Sequence, residues 1–256
     1  MSEATSRSIN KKQVARKALR ELSSLTEPAM VKQQLHHWLR GDRPFVLRAL
    51  WLAEEVFETS SYGGMDGRAL FRAVLSSLLT LDHALMLRLM FEAKSECLEL
   101  TRSTLWSALI PSKRSPAEEN LPTTDDHGRA LTLGERRSLA RKPSPKSIEK
   151  LLSDRDPIVL EHLLNNPRLT EVLLLRVVTY RAQVPHNLFR VFDHPEWGQR
   201  QPIQRAIALN PSSPLALRCA LISSCTSEDH EMILRESHLS SPLRASINRY
   251  RQNLEI

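Results

Sequence analysis

Residues 156–178 read D-P-I-V-L-E-H-L-L-N-N-P-R-L-T-E-V-L-L-L-R-V-V, and this stretch decides the fold. Asp156 followed by Pro157 is a helix start: the carboxylate accepts an orphan backbone N–H, and proline is tolerated in a first turn. Val159, Leu160, Leu163 and Leu164 share one helix face. Pro167 ends that helix, because the residue before a proline is pushed out of the helical region. Thr170 then caps a second helix that holds Val172, Leu173, Leu174, Val177 and Val178. The stretch is a helical hairpin too small to bury its own apolar face, so it needs neighbours.

Outward from it, the punctuation recurs. A-R-K-P ends at Pro143 and A-L-N-P at Pro211, and each leads into an apolar helical run. Ser144-Pro145, Ser213-Pro214 and Ser241-Pro242 repeat the pattern of a hydroxyl cap and a first-turn proline, while Val184-Pro185 keeps the proline without the cap. The step from Pro167 to Pro211 is nearly twice that from Pro143 to Pro167, which fits one additional, degenerate unit. Hairpins are therefore expected near 134–152, 156–180, 185–192, 195–223 and 228–250. Recurrence at this period predicts stacked helical hairpins.

Asp156-Pro157, Leu163-Leu164-Asn165-Asn166-Pro167, Leu169 and Leu173-Leu174-Leu175 resemble the leucine-rich-repeat-variant and HEAT-like repeats of bacterial proteins. The resemblance extends to a related uncharacterised bacterial helical-repeat domain and covers roughly Leu131 to Tyr250. It implies a right-handed superhelix of helix pairs with a surface for macromolecules. One founding example of the variant repeat carries a cysteine cluster for an iron–sulfur centre; Cys97, Cys219 and Cys225 form no such cluster, so no cofactor is carried over.

The N-terminal half reads as a helical bundle. Val14, Ala18, Leu19 and Leu22 make one amphipathic stripe, and Val31, Leu35, Trp38 and Leu39 follow after Pro28. Val46, Ala49, Leu50, Ala53, Val56 and Phe57 line a third helix; Arg68 to Leu79 and Asp82 to about Leu98 give two more. The expectation is all-α: an N-terminal helical bundle at 1–111, a linker or mobile loop at 112–131, and an α-solenoid at 132–256. Only 7 glycines and 5% aromatics in 256 residues argue the same way, since sheets favour aromatics and need glycine at tight turns.

No window holds the roughly 20 apolar residues of a membrane span, and no apolar core follows the charged N-terminus. Three cysteines without C-x-x-C spacing suggest no disulfide framework, and a cytoplasmic location is expected. The +7 net charge permits nucleic acid, acidic proteins or anionic membranes without choosing among them. Lys11, Lys12, Arg16, Lys17 and Arg20 read as a solvated helix face.

Catalytic signatures are missing: there is no G-x-S-x-G elbow, no phosphate loop and no closely spaced Cys/His set. Gly63-Gly64-Met65-Asp66-Gly67 reads as an interhelical turn, and Asp125-Asp126-His127 falls in the linker. Glu54 and Glu55, beside Trp51, are expected on a solvated face, with at most one turned inward. Arg136, Arg137, Arg141, Lys142 and Lys146 form the densest basic group of the repeat half, and Trp197 is either a packing anchor or an exposed hot spot. These six are the candidate interaction surface; no catalytic, cofactor-binding or metal residues are assigned. The expected function is a non-enzymatic scaffold or adaptor for a protein partner. The alternative is a basic helical-repeat nucleic-acid binder, in the manner of DNA-repair proteins.

Overall fold

A computed structural model describes residues 3–25, 27–60, 68–109, 124, 128–142, 144–180, 183–236 and 239–254. Pro143, the 63–67 glycine turn, Asp125-Asp126-His127 and most of the 112–131 linker lie outside the described residues. Among the described residues the protein is all-α, with an isolated antiparallel bridge between Thr124 and Ala130 and no strand. No single helix among them is long and apolar enough to cross a membrane. The chain divides into two compact units, one of residues 1–109 with 234–256 and one of 110–233.

The first unit opens with α1 (Glu3–Ser23), α2 (Pro28–Arg40), α3 (Arg43–Ser60), α4 (Arg68–Leu79), α5 (His83–Ser95) and α6 (Glu99–Leu109). Helix α3 packs against all five others, because its apolar residues do not stop at one stripe. Val46, Ala49, Leu50, Leu52, Ala53, Val56 and Phe57 are all buried. Phe57 meets Phe71 of α4 edge-on at 5.7 Å between ring centres. Arg48 of α3 lays its guanidinium 4.4 Å over the buried Trp38 of α2 and pairs with Glu21 of α1, tying three helices together.

Helix α5 ends in a left-handed turn at Cys97, with φ of 59°. Leu98 N–H donates to Ala93 O at 2.9 Å and Cys97 N–H to Lys94 O at 3.2 Å, the paired bonds of a Schellman stop. Glycine normally occupies that position, since a side chain there costs about 1 kcal/mol or more. Cys97→Gly is therefore expected to stabilise the fold by about 1 kcal/mol in urea titration, with native α-helical circular dichroism.

The second unit holds α7 (Leu133–Arg141), α8 (Pro145–Lys150), α9 (Pro157–Leu164), α10 (Glu171–Thr179) and α11 (Pro185–Asp193), then a short 3-10 helix at Trp197–Gln199. It continues with α12 (Gln201–Leu209), α13 (Leu215–Ala220), a second 3-10 helix at Ile222–Ser224 and α14 (Ser227–Leu234). The last helix, α15 (Ser241–Leu254), belongs to the first unit, whereas the sequence-based division runs the second domain to residue 256. Helix α7 packs on α9, α9 on α11, and α10 and α11 on α12.

The helix starts follow the expected grammar in part. Asp156 accepts from the N–H groups of Ile158 and Val159, and Thr170 from that of Leu173. Ser144 sits at a cap position without making the bond. Ser213 precedes the cap and donates its hydroxyl to Ile207 O at 2.6 Å instead. Leu174, Val177 and Val178 are core, but Val172 is exposed.

First-turn prolines recur at Pro145, Pro157 and Pro185 as expected, and an asparagine recurs beside them at the helix ends. The last carbonyls of a helix have no intrahelical donor. Asn166 Nδ2, at the end of α9, donates to Ala140 O at 2.8 Å and Lys142 O at 2.9 Å, the last carbonyls of α7. Asn210, at the end of α12, does the same for α10, donating to Val178 O at 2.5 Å and Tyr180 O at 3.1 Å. Each asparagine also accepts the N–H two residues on, from Arg168 and Ser212 respectively, so both side chains are locked. Trp197 does this for α9, its indole N–H lying 3.0 Å from Leu164 O. Buried Arg218 does it for α12 through Ala208 O at 2.9 Å. The ends of α7, α9, α10 and α12 are thus each met by a side chain from later in the chain.

Candidate functional site

The basic group of α7 is spent on packing. Arg136 pairs with the buried Asp154 at 2.5 Å, and Arg137 reaches both oxygens of Asp156 at 3.2 and 3.3 Å. Burial alone would raise the Asp156 carboxyl, yet Arg137 and the N–H groups of Val159 and Ile158 hold it below its ordinary value. Arg141 donates to His162 Nε2 of α9 at 2.9 to 3.1 Å. Lys142 and Lys146 are exposed. Trp197 is 5% exposed, with Arg200 stacked on its ring at 4.3 Å, and so presents no ring face to solvent.

Arginine–acid clamps continue along this unit. Arg190 of α11 meets Glu161 of α9 at 2.8 Å, Arg200 meets Glu171 of α10 at 3.2 Å, and Arg205 of α12 grips both oxygens of Asp229 at 2.6 and 2.8 Å. Asp229 also closes a capping box with Thr226 at the start of α14. The Arg205 guanidinium, chiefly, holds its carboxyl down at about 2. Its folded pKa lies below the unfolded value of about 3.9, so the stability it contributes is present above that value and lost as pH falls toward 2. Asp229→Asn should flatten the acid limb of a stability–pH curve over that window, with the largest deficit above pH 5.

The first unit contains a cleft of about 480 Å³ lined by Lys11, Trp51, Glu54, Glu55, Glu96 and Cys97, among others. Three of its charged groups, Lys11, Glu54 and Glu96, are engaged. Lys11 Nζ lies 2.8 Å from the buried Glu96 carboxylate and 3.1 Å from Glu96 O. Glu54 is turned inward, not solvated: it accepts Leu100 N–H at 3.0 Å and Thr101 N–H at 2.8 Å, covering the positive N-terminus of α6. Burial raises its carboxyl while those N–H bonds oppose the rise. Both Glu54 and Glu55 line the cleft, although the sequence reading allows at most one inward. Among the described residues no three of His, Cys, Asp and Glu gather as metal ligands, and no cysteine is in a disulfide.

A different cleft is partly apolar and carries two exposed aromatic rings. Helices α5 and α6 pack side by side, and on their outer face Met90, Phe91, Lys94, Arg102, Ser103 and Trp106 enclose about 460 Å³. Phe91 is 73% exposed and Trp106 54%, and Leu87 is exposed one turn before Phe91. Helical spacing accounts for this. Met86, Leu89 and Ala93 bury one stripe of α5, leaving Leu87 and Phe91, four apart, as a second stripe on solvent. On α6, Leu100, Thr104 and Leu105 face inward, so Arg102, Ser103 and Trp106 face out together.

The apolar spacing predicts a fifth helix running on to about Leu98, whereas the structure ends α5 at Ser95 and starts α6 at Glu99. The available signal for the exposed rings is two apolar stripes on α5 where one suffices to bury a helix. A second apolar hollow, of about 460 Å³, lies in the other unit among Leu175, Pro202, Leu209 and Met232, with exposed Val172 on the same helix as Leu175. Its one charged lining residue, Arg205, is neutralised by Asp229. The chain matches no protein-family model, no curated protein and no solved structure.

Proposed function

We propose that this protein is a non-enzymatic adaptor that docks a protein partner on the outer face of α5 and α6. The single observation that carries this reading is the cleft between Phe91 and Trp106: two large exposed rings that line one hollow together with Met90. Water-exposed aromatic surface of this kind is costly unless something covers it, and tryptophan anchors dominate protein interfaces. In this reading α1–α6 are the docking bundle and α7–α14 a HEAT-like stack of hairpins, stiffened by the arginine clamps and the asparagine links. The clamps also weaken the nucleic-acid alternative, because Arg136 and Arg137 have little charge left for phosphates.

A photo-cross-linking residue in place of Ser103, at the cleft, tests this in cells against a control at Lys146. The expected result is a discrete protein adduct at position 103 alone, abolished by Phe91→Ala/Trp106→Ala. Identical adducts at both positions, or none at 103, would contradict docking here.

A further inference from the structure

Resting on the docking reading just given, we infer that the occupant of the Phe91–Trp106 cleft is an amphipathic helical segment of a protein partner, apolar along one face and flanked by Asp or Glu. Charge complementarity carries the argument. Lys94 and Arg102 are the charged residues lining the cleft, and exposed Arg88 lies one turn before Phe91 on the same helix. Neither Lys94 nor Arg88 has an ion-pair partner among the described residues. The three carboxylates nearest in sequence are taken: Glu92 by Arg43 at 3.3 Å, Glu96 by Lys11 at 2.8 Å and Glu99 by Arg102 at 2.7 Å. A basic segment would meet uncompensated positive charge, while an acidic one finds two free cations.

The shape of the surface selects a helix. Leu87 and Phe91 stand one helical turn apart on α5, and Trp106 of α6 lines the cleft with Phe91. A ligand helix with anchors at i and i+4 presents side chains at the matching spacing of about 5–6 Å between Cβ atoms. Met90 gives the floor an adaptable, polarisable surface suited to aliphatic anchors. A single-stranded nucleic acid would also stack on exposed rings, but it needs a run of cations tracking its backbone. Among the described lining residues the cations here are Lys94 and Arg102, too few for such a track.

The test is a selection of helical peptides, displayed from a library randomised on one face and both flanks, against the full chain. Binders are counter-selected on Phe91→Ala/Trp106→Ala, a surface change that leaves the core intact. Recovered peptides are measured by fluorescence anisotropy against the native chain and against Arg88→Glu/Lys94→Glu. The expected result is apolar residues at i and i+4 with acidic flanks, binding at least 10-fold weaker to the charge-reversed chain. Peptides that need the two rings but carry no acidic bias, or bind the charge-reversed chain equally, overturn the inference and leave the docking reading standing. Failure to recover any ring-dependent peptide overturns both. So does displacement of the peptides by an oligo-dT strand at equal affinity, or a dimer in sedimentation that the ring substitutions dissolve.

Discussion

Gly198→Ala is expected to destabilise the second unit strongly. A Cβ added at Gly198 would lie 1.9 Å from Phe192 O and 2.7 Å from Phe192 C. Those atoms are backbone, and Gly198 N–H is itself tied to His194 O at 2.9 Å, so neither side can swing away. The turn cannot open without pulling Trp197 off Leu164 O and disturbing buried Phe192. Overpacking of well-filled sites costs roughly 1–3 kcal/mol and more where backbone must move, so a loss of about 3 kcal/mol or greater is expected. Gly134→Ala is the control. Nothing lies within 4 Å of its added Cβ, inside the first turn of α7, and alanine there should stabilise by about 0.4–1 kcal/mol. Urea titration of both variants separates steric clash from any general effect of losing glycine.

Asn210→Asp is expected to be nearly as damaging and to carry a pH signature. Alanine at this position removes the donor to Val178 O and Tyr180 O, stranding two carbonyls in a buried site. Each stranded group costs about 1–3 kcal/mol, so roughly 2–4 kcal/mol is expected in all. Aspartate is almost isosteric but turns a carboxylate oxygen toward those carbonyls. In the variant the folded state favours the protonated acid, which raises its folded pKa above the unfolded one. Stability then falls as pH rises through that window, so the Asp variant should be closer to native stability at pH 4 than at pH 7. A pH-independent deficit would show that the amide's hydrogen bonds are not what holds this junction.

The sequence made the helices legible because burial imposes helical periodicity. Val31, Leu35, Trp38 and Leu39, spaced for one face, are all buried, and the Asp156 and Thr170 caps form as composition suggests. Less legible were the features that depend on a partner distant in the chain. Asn166 and Asn210 each reach carbonyls more than twenty residues earlier, so the visible proline marks the junction while the neighbouring amide makes it. Glu54 looks like any helical glutamate until α6 starts against it. Helix α6 itself was hidden by the left-handed stop at Cys97, where the usual glycine signal is absent. The rings of the α5–α6 cleft are hard to read for a related reason: exposed apolar residues on a helix look like core until the phase of the buried stripe is known.

The most direct test of the account is the affinity of the cross-linked partner for the native chain and for Phe91→Ala/Trp106→Ala, measured by titration calorimetry. The docking cleft predicts binding weaker by at least about 30-fold, the loss of roughly 2 kcal/mol typical of a hot-spot aromatic, with unchanged helical content. Unchanged affinity in a variant of native fold would contradict it.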